Sequence, residues 1–410
     1  MTESAAHKEV ILIDDDPFQV KLLSHQLATA GFNRVTPFNN AALALEAIGE
    51  QALPSTVVML DLNMPEMDGL EFLARLKDTP FDGALLLVSG EDERVLQATV
   101  KLATAYDIHV LGHLKKPVRQ EQLKKVLEAW DPHAEAVVRT SNQRYYPAAR
   151  LREALDADEL YNVYQPKVFL NTGELMGVEA LVRWAHPEDG TIYPDSFISL
   201  AEEHGMIDEI ARLVLNTALR DINEWKAVGI KVPVAVNISM YNLNTREFIN
   251  YLEQQLIAHR VSPQDLTLEI TESKLMNDYA LVLDMLTRLR LRKINLSIDD
   301  FGTGHSSMAQ LRDIPFNELK IDQGFVHTAW DNATLHGIFD GSMQLARNLG
   351  IKTVAEGVQD KNDWAFLFQS GCDLAQGFFI GRPMEASVLK EWSGDWAHRY
   401  AGLSGTAGNF

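Results

Sequence analysis

Acidic and polar residues recur in the first third of this chain just after short aliphatic runs. Asp14 and Asp15 follow residues 10–13, Asp61 follows 57–60, Ser89 ends the run 84–88, and Lys116 stands before Pro117 beyond 109–111. Three carboxylates brought together repel one another and require a cation, and oxygen donors suit Mg²⁺. A carboxylate in such a pocket can also act as a nucleophile toward a phosphoryl group. The Ser89 hydroxyl and the Lys116 ammonium could then hold the phosphoryl oxygens.

A denser set follows: Glu179, Asn237, Glu269, Glu272, Asp299, Asp300, Lys320, Asp322, Glu356 and Gln376. Each is read at a strand end or in the loop beside it. Singly, most would be caps, turn formers or surface charges. Together they describe a ring of oxygen ligands that suits Mg²⁺ or Mn²⁺ and not a structural zinc site. Asp299 and Asp300 could serve two ions, and two metals about 3.5–4 Å apart are a common arrangement for phosphodiester hydrolysis. Lys320 could orient the attacking water. Glu356 could accept its proton or bind the second metal.

Two frames are needed to position these groups. Up to residue 130, aliphatic runs alternate with helical spacing over 17–30 and 70–77. That alternation predicts an α/β domain with a doubly wound parallel sheet, whose strands share one crevice at their carboxyl ends. Residues 131–150 read as a linker. From 151 to about 396 the alternation resumes for the length of a (β/α)8 barrel, which carries its working residues at one face. The strand candidates there are 232–238, Leu266–Thr271, 295–298, Glu318–Ile321, Lys352–Ala355 and 375–380. The barrel domain is placed at 151–398 and a Gly-rich tail at 399–410. Phe378 and Phe379 read as strand core, and Cys372 as a buried thiol.

With 410 residues and 46% hydrophobic content, the chain can build sizeable cores, so disorder is set aside. Its net charge of −20 argues against wrapping DNA or docking on anionic lipid. The single cysteine permits no internal disulfide. The polar start lacks a signal sequence, and no apolar run approaches the roughly 20 residues of a membrane span. The expectation is a cytoplasmic protein without a membrane span or direct DNA binding.

Residues 8–130 resemble a response-regulator receiver domain, a flavodoxin-like fold. The matching pieces are Ile13-Asp14-Asp15-Asp16-Pro17, Leu60-Asp61-Leu62-Asn63-Met64-Pro65 with Asp68-Gly69, Ser89-Gly90 and Lys115-Lys116-Pro117. The resemblance implies Asp61 as phospho-acceptor, Asp14 and Asp15 as ligands of one Mg²⁺, Ser89 as switch hydroxyl, Lys116 as phosphate partner and a cognate histidine kinase. The switch aromatic of that family is His113 here.

Residues 151–396 resemble an EAL-domain cyclic-di-GMP phosphodiesterase, a TIM-like barrel. The motifs are Tyr164-Gln165-Pro166, Glu179-Ala180-Leu181-Val182-Arg183-Trp184, Asn237-Ile238-Ser239 and Glu269-Ile270-Thr271-Glu272. Further along come Asp299-Asp300-Phe301-Gly302-Thr303-Gly304, Lys320-Ile321-Asp322, Ala355-Glu356-Gly357-Val358 and Gln376-Gly377. The resemblance implies Glu179, Asn237, Glu269 and Asp299 around a first metal. It puts Asp299, Asp300 and Glu356 at a second, with Lys320 at the attacking water and Glu356 as general base. Arg183 would bind a substrate phosphate, and Gln165, Asp322 and Gln376 would line the cleft. Glu272 would anchor the loop from 300 to 307. A homo-oligomer formed through this domain is expected.

The chain departs from the family at Gln359, usually Glu, and at His305, usually Tyr. The reading is a response regulator that hydrolyses cyclic di-GMP to pGpG under control of receiver phosphorylation. The alternatives are an EAL domain that binds cyclic di-GMP without cleaving it, and a module acting through protein contacts.

Overall fold

The computed structural model describes residues 9–49, 53–130, 146–244, 246–272, 279–303 and 308–404. The linker residues 131–145, His305 and residues 405–410 lie outside that set. The chain divides into two compact units, Met1–Arg144 and Tyr145–Phe410. Among the described residues no helix is long and apolar enough to cross a membrane.

The first unit is a parallel sheet of β1 (Glu9–Ile13), β2 (Arg34–Phe38), β3 (Thr56–Leu60), β4 (Ala84–Ser89) and β5 (His109–Lys115), in the order β2-β1-β3-β4-β5. Strand side chains alternate between faces, and each face builds its own core. Ile11, Ile13, Val58 and Leu60 pack with the helices Ala41–Ile48 and Gly69–Leu76. Val10, Leu12, Val57 and Met59 pack with the helices Pro17–Thr29 and Gln120–Ala129. The fold is the doubly wound one expected, with one strand added. That strand, β2, lies at the sheet edge, where its Pro37 and its mostly exposed side chains are tolerated.

The second unit is a closed barrel of β6 (Leu160–Phe169), β7 (Leu175–His186), β9 (Val234–Asn237), β10 (Leu266–Thr271), β11 (Asn295–Phe301), β12 (Glu318–Ile321), β13 (Lys352–Ala355) and β14 (Leu374–Gln376). A short β8 (Gly190–Ile192) pairs only with the overhanging end of β7. The barrel is TIM-like but not uniformly parallel. β6 runs antiparallel to both its neighbours, because β6 and β7 form a long hairpin. Neither was among the expected strands. The last expected strand also ends early: β14 stops at Gln376, where Gly377 takes φ +157°. A Cβ on Gly377 would lie 2.2 Å from the Val358 nitrogen, so only glycine allows this approach.

The chain beyond residue 398, expected as tail, is helical to Ser404. Trp396 donates from Nε1 to the Gly173 oxygen at 2.7 Å, and Tyr400 from its hydroxyl to Asn171 at 2.9 Å. These two contacts fix that helix to the β6–β7 hairpin. Phe378 is 55% exposed under the Arg382 guanidinium, so the reading of this residue as strand core is corrected. Gly377 ends the strand before it. Phe379 packs against Trp364, and Cys372 is buried.

Candidate active site and receiver pocket

In the first unit, β1 and β3 end side by side, and Asp61 N donates to the Ile13 oxygen across them. Carboxylate oxygens of Asp14, Asp15 and Asp61 lie within 4.8 Å of one another. Lys116 Nζ reaches both Asp14 Oδ2 and Asp61 Oδ2 at 2.7 Å. Burial raises the Asp14 pKa despite the Lys116 contact. Ser89 is buried at the end of β4, where its Oγ accepts from Glu91 N. His113 lies half-buried on β5, opposite Leu87. Asp16 caps the helix Pro17–Thr29 by accepting from Phe18 N. Three converging oxygen donors fit one hard divalent ion.

The barrel site is built around Lys320. Its ammonium lies 2.7 Å from Glu269, 2.8 Å from Glu356, 2.9 Å from Asp299 and 3.3 Å from Glu179. Those side chains come from β12, β10, the end of β13, β11 and β7. Burial favours the neutral amine, but the four carboxylates outweigh it and raise the Lys320 pKa. Burial, with Asp299 and Glu179, lifts Glu356 to about 8. Burial, with Asp299 and Asp322, lifts Asp300 to about 6. At Glu179 burial is overcome by Lys320 and the amides of Gln376 and Asn237, which hold it at about 2.

Two oxygen triads share one residue. Glu179, Glu269 and Asp299 converge within 4.8 Å, as do Asp299, Asp300 and Glu356. The donor set is all oxygen, which fits two neighbouring hard divalent ions. A β-bulge makes the sharing possible. The β11–β12 register shifts between Ile298 and Phe301, and Asp300 sits in the left-handed region at φ +53°. Bulges of this kind re-aim side chains beside active sites.

The amides complete the ring. Gln376 Nε2 donates to Glu179 Oε2 at 2.6 Å and to Gln165 Oε1 at 3.2 Å. Asn237 Nδ2 donates to Glu179 Oε1 at 2.7 Å. Glu272, just past β10, accepts from Gly302 N at 2.8 Å. Asp322 caps the short helix Gln323–Val326 through Gly324 N. Arg183 is buried, with its guanidinium over the exposed Tyr193 ring at 4.8 Å. A cavity of about 430 Å³ adjoins the ring, lined in part by Asn237, Glu269, Pro194, Asp195 and Ser239.

Sequence reasoning placed Glu179 at a strand end, but it is the fifth residue of the twelve in β7. The strand overshoots the barrel rim to pair with β8, so the rim falls mid-strand. Gln359 is exposed, and the backbone N of Gln359 donates to Asp363. The sequence reading missed Lys167 and Glu318, both buried in the barrel interior. The period of two was the available signal: they stand two positions from Gln165 and Lys320 on the same inward faces.

The response regulator receiver domain family matches residues 10–128, and the EAL domain family matches residues 148–383. The cyclic di-GMP phosphodiesterase RocR of Pseudomonas aeruginosa is 30% identical over 380 residues, 92% of this chain and 96% of that protein. The bifunctional diguanylate cyclase/cyclic di-GMP phosphodiesterase MucR of the same species is 40% identical over 58% of this chain, and the match spans 35% of MucR. A solved structure of the MucR phosphodiesterase in complex with c-di-GMP superposes with a TM-score of 0.57 at 40% identity, covering 59% of this chain and 98% of that one. The chain belongs to the EAL domain family and carries a response regulator receiver domain ahead of the barrel.

Proposed function

We propose that this chain is a two-component response regulator whose barrel hydrolyses one phosphodiester of cyclic di-GMP, giving linear pGpG, under control of phosphorylation at Asp61. The observation that carries the reading is the pair of oxygen triads sharing Asp299 around Lys320. The near full-length match to a named cyclic di-GMP phosphodiesterase supports the substrate. The receiver is placed at 1–130 and the barrel domain from Tyr145 on, its first helix at Ala148–Asp156 and its last at Leu389–Ser404.

Glu179, Asn237, Glu269 and Asp299 would hold one Mg²⁺ or Mn²⁺, and Asp299, Asp300 and Glu356 a second. Bound there, the ions supply a nucleophile at neutral pH and neutralise charge on the phosphoryl oxygens. The chain's own groups do the rest. Lys320 orients the attacking water, and Glu356, 2.8 Å from the Lys320 ammonium, is placed to take its proton. Arg183 grips a substrate phosphate with its planar fork. Gln165, Asp322 and Gln376 hold the ligand, and Glu272 fixes the start of the 300–307 loop through Gly302.

In the receiver, Asp14 and Asp15 hold one Mg²⁺ while Lys116, Ser89 and His113 respond to the phosphoryl group on Asp61. A histidine kinase supplies that group. The protein works in the cytoplasm, in keeping with one buried thiol, and assembles as a homo-oligomer through the EAL domain.

The test is chromatography of cyclic di-GMP incubated with the full chain and Mg²⁺, with and without a phosphoryl mimic on the receiver. Formation of pGpG that Glu179→Ala abolishes supports the reading, and the mimic gives the sign of control. Binding without product in Mg²⁺ and in Mn²⁺ would turn the barrel into a receptor.

A further inference from the structure

Glu269 is fully buried between two lysines. Its Oε2 lies 2.7 Å from Lys320 Nζ above, and its Oε1 lies 3.5 Å from Lys167 Nζ below. Oε1 has no hydrogen-bond partner among the described residues. Lys167 is itself buried and bonded to Glu318 Oε1 at 2.5 Å, which also accepts from Ser297 Oγ at 3.2 Å. It reaches this depth because β6 runs against the other strands. Gln165 stands at the rim beside Glu179, and Lys167, two residues on, is carried down the same inner face.

Two lysines thus share one carboxylate, but they stand differently. Lys320 faces the ring where water and substrate meet the site. Lys167 faces only the barrel interior. When Lys320 turns toward water or phosphate, Glu269 loses its shortest contact, and only the group beneath still fixes its direction. Without Lys167 the carboxylate would then have no cation beside it; with Lys167 beneath, it keeps one charged neighbour and stays aimed at Glu179 and Asp299.

We propose that Lys167 is a positioning residue of the barrel's metal site, holding the Glu269 carboxylate in the orientation in which it closes the triad with Glu179 and Asp299. The inference rests on the functional reading above, but its first measurement needs no substrate.

Lys167→Met alone leaves Glu318 as an unpaired buried charge and endangers folding. The informative variant is therefore Lys167→Met/Glu318→Gln, which removes the pair together and keeps an acceptor for Ser297. Glu318→Gln alone is the control. The full chain is titrated with Mn²⁺ by calorimetry, with Glu179→Ala titrated in parallel to give the receiver pocket's own share, and melting is followed without metal. The expected result is a double variant that melts near the wild type, binds Mn²⁺ about tenfold more weakly, and loses about tenfold in kcat with KM for cyclic di-GMP changed less than threefold. The control should bind Mn²⁺ like the wild type. A purely structural Lys167 would move melting alone. Mn²⁺ affinity equal to or tighter than wild type in the folded double variant would overturn the proposal, since a merely repelling cation gives tightening. If the wild type also fails to cleave cyclic di-GMP while the Mn²⁺ result holds, the functional reading fails and the positioning role stands.

Discussion

Lys320 Nζ and Glu356 Oε1 lie 2.8 Å apart at the mouth of the barrel, an ammonium and a carboxyl whose pKa values are both raised. The contact joins the two groups to which proton handling is assigned. Replacing Glu356 by Gln keeps the volume and removes the proton acceptor. Loss of a general base lowers turnover by about 10²–10⁴-fold. Glu356→Gln should show a kcat in that range with the fold intact by circular dichroism. A kcat within threefold of wild type would remove Glu356 from the chemistry.

Metal binding and proton binding compete in this cluster. Glu356 is raised to about 8 and Asp300 to about 6, so the metal-free fold binds more protons than the unfolded chain between about pH 4.5 and 8. Stability then falls as pH rises through that window. Divalent ions displace those protons, so their stabilisation grows with pH. The rise in melting temperature produced by a fixed Mg²⁺ concentration should be larger at pH 8 than at pH 6. An equal or smaller rise at pH 8 would contradict the assignment.

The sequence exposed the chemistry better than the frame. Asp299, Asp300 and Glu356 stand just past expected aliphatic runs and Glu269 within one, because parallel strands buried on both faces read as such runs, whereas Glu179 was marked by its motif. Two strands that carry site residues escaped. β6 holds Pro166 and runs antiparallel, so its working residue, Gln165, sits mid-strand. β7 overshoots the rim and carries Glu179 in its middle. Lys167 and Glu318 were missed for a different reason. An isolated Lys or Glu reads as a surface charge, and only barrel closure brings β6 beside β14 so that these two meet.

Gly377 offers a test of how the rim is held. Val358 N donates to the Gln376 oxygen and Phe379 N to the Val358 oxygen, locking the β13 and β14 loops together. Gly377→Ala places a Cβ 2.2 Å from Val358 N at a φ of +157°. Backbone must move, and Gln376 moves with it. We expect a loss of about 1–3 kcal/mol in stability, read as a lower urea midpoint, and a raised KM for cyclic di-GMP.

In the receiver, Lys116 ties Asp14 to Asp61 with two contacts of 2.7 Å. This makes the lysine the cation that offsets three converging carboxylates before metal or phosphoryl arrives. Lys116→Ala leaves Asp14 and Asp61 buried without it, and breaking such a contact costs about 3–5 kcal/mol when full burial applies, less here because Lys116 keeps some exposure. The receiver should melt earlier in the absence of metal, and Mg²⁺ should restore more of the loss than it adds to the wild type, because the ion takes over the missing charge. Asp61→Asn removes one carboxylate of the cluster and the proposed phospho-acceptor together. It should raise metal-free stability while abolishing acid-labile labelling by a small phosphodonor. Labelling that persists in Asp61→Asn would place the phospho-acceptor elsewhere and leave the acidic pocket as a metal site alone.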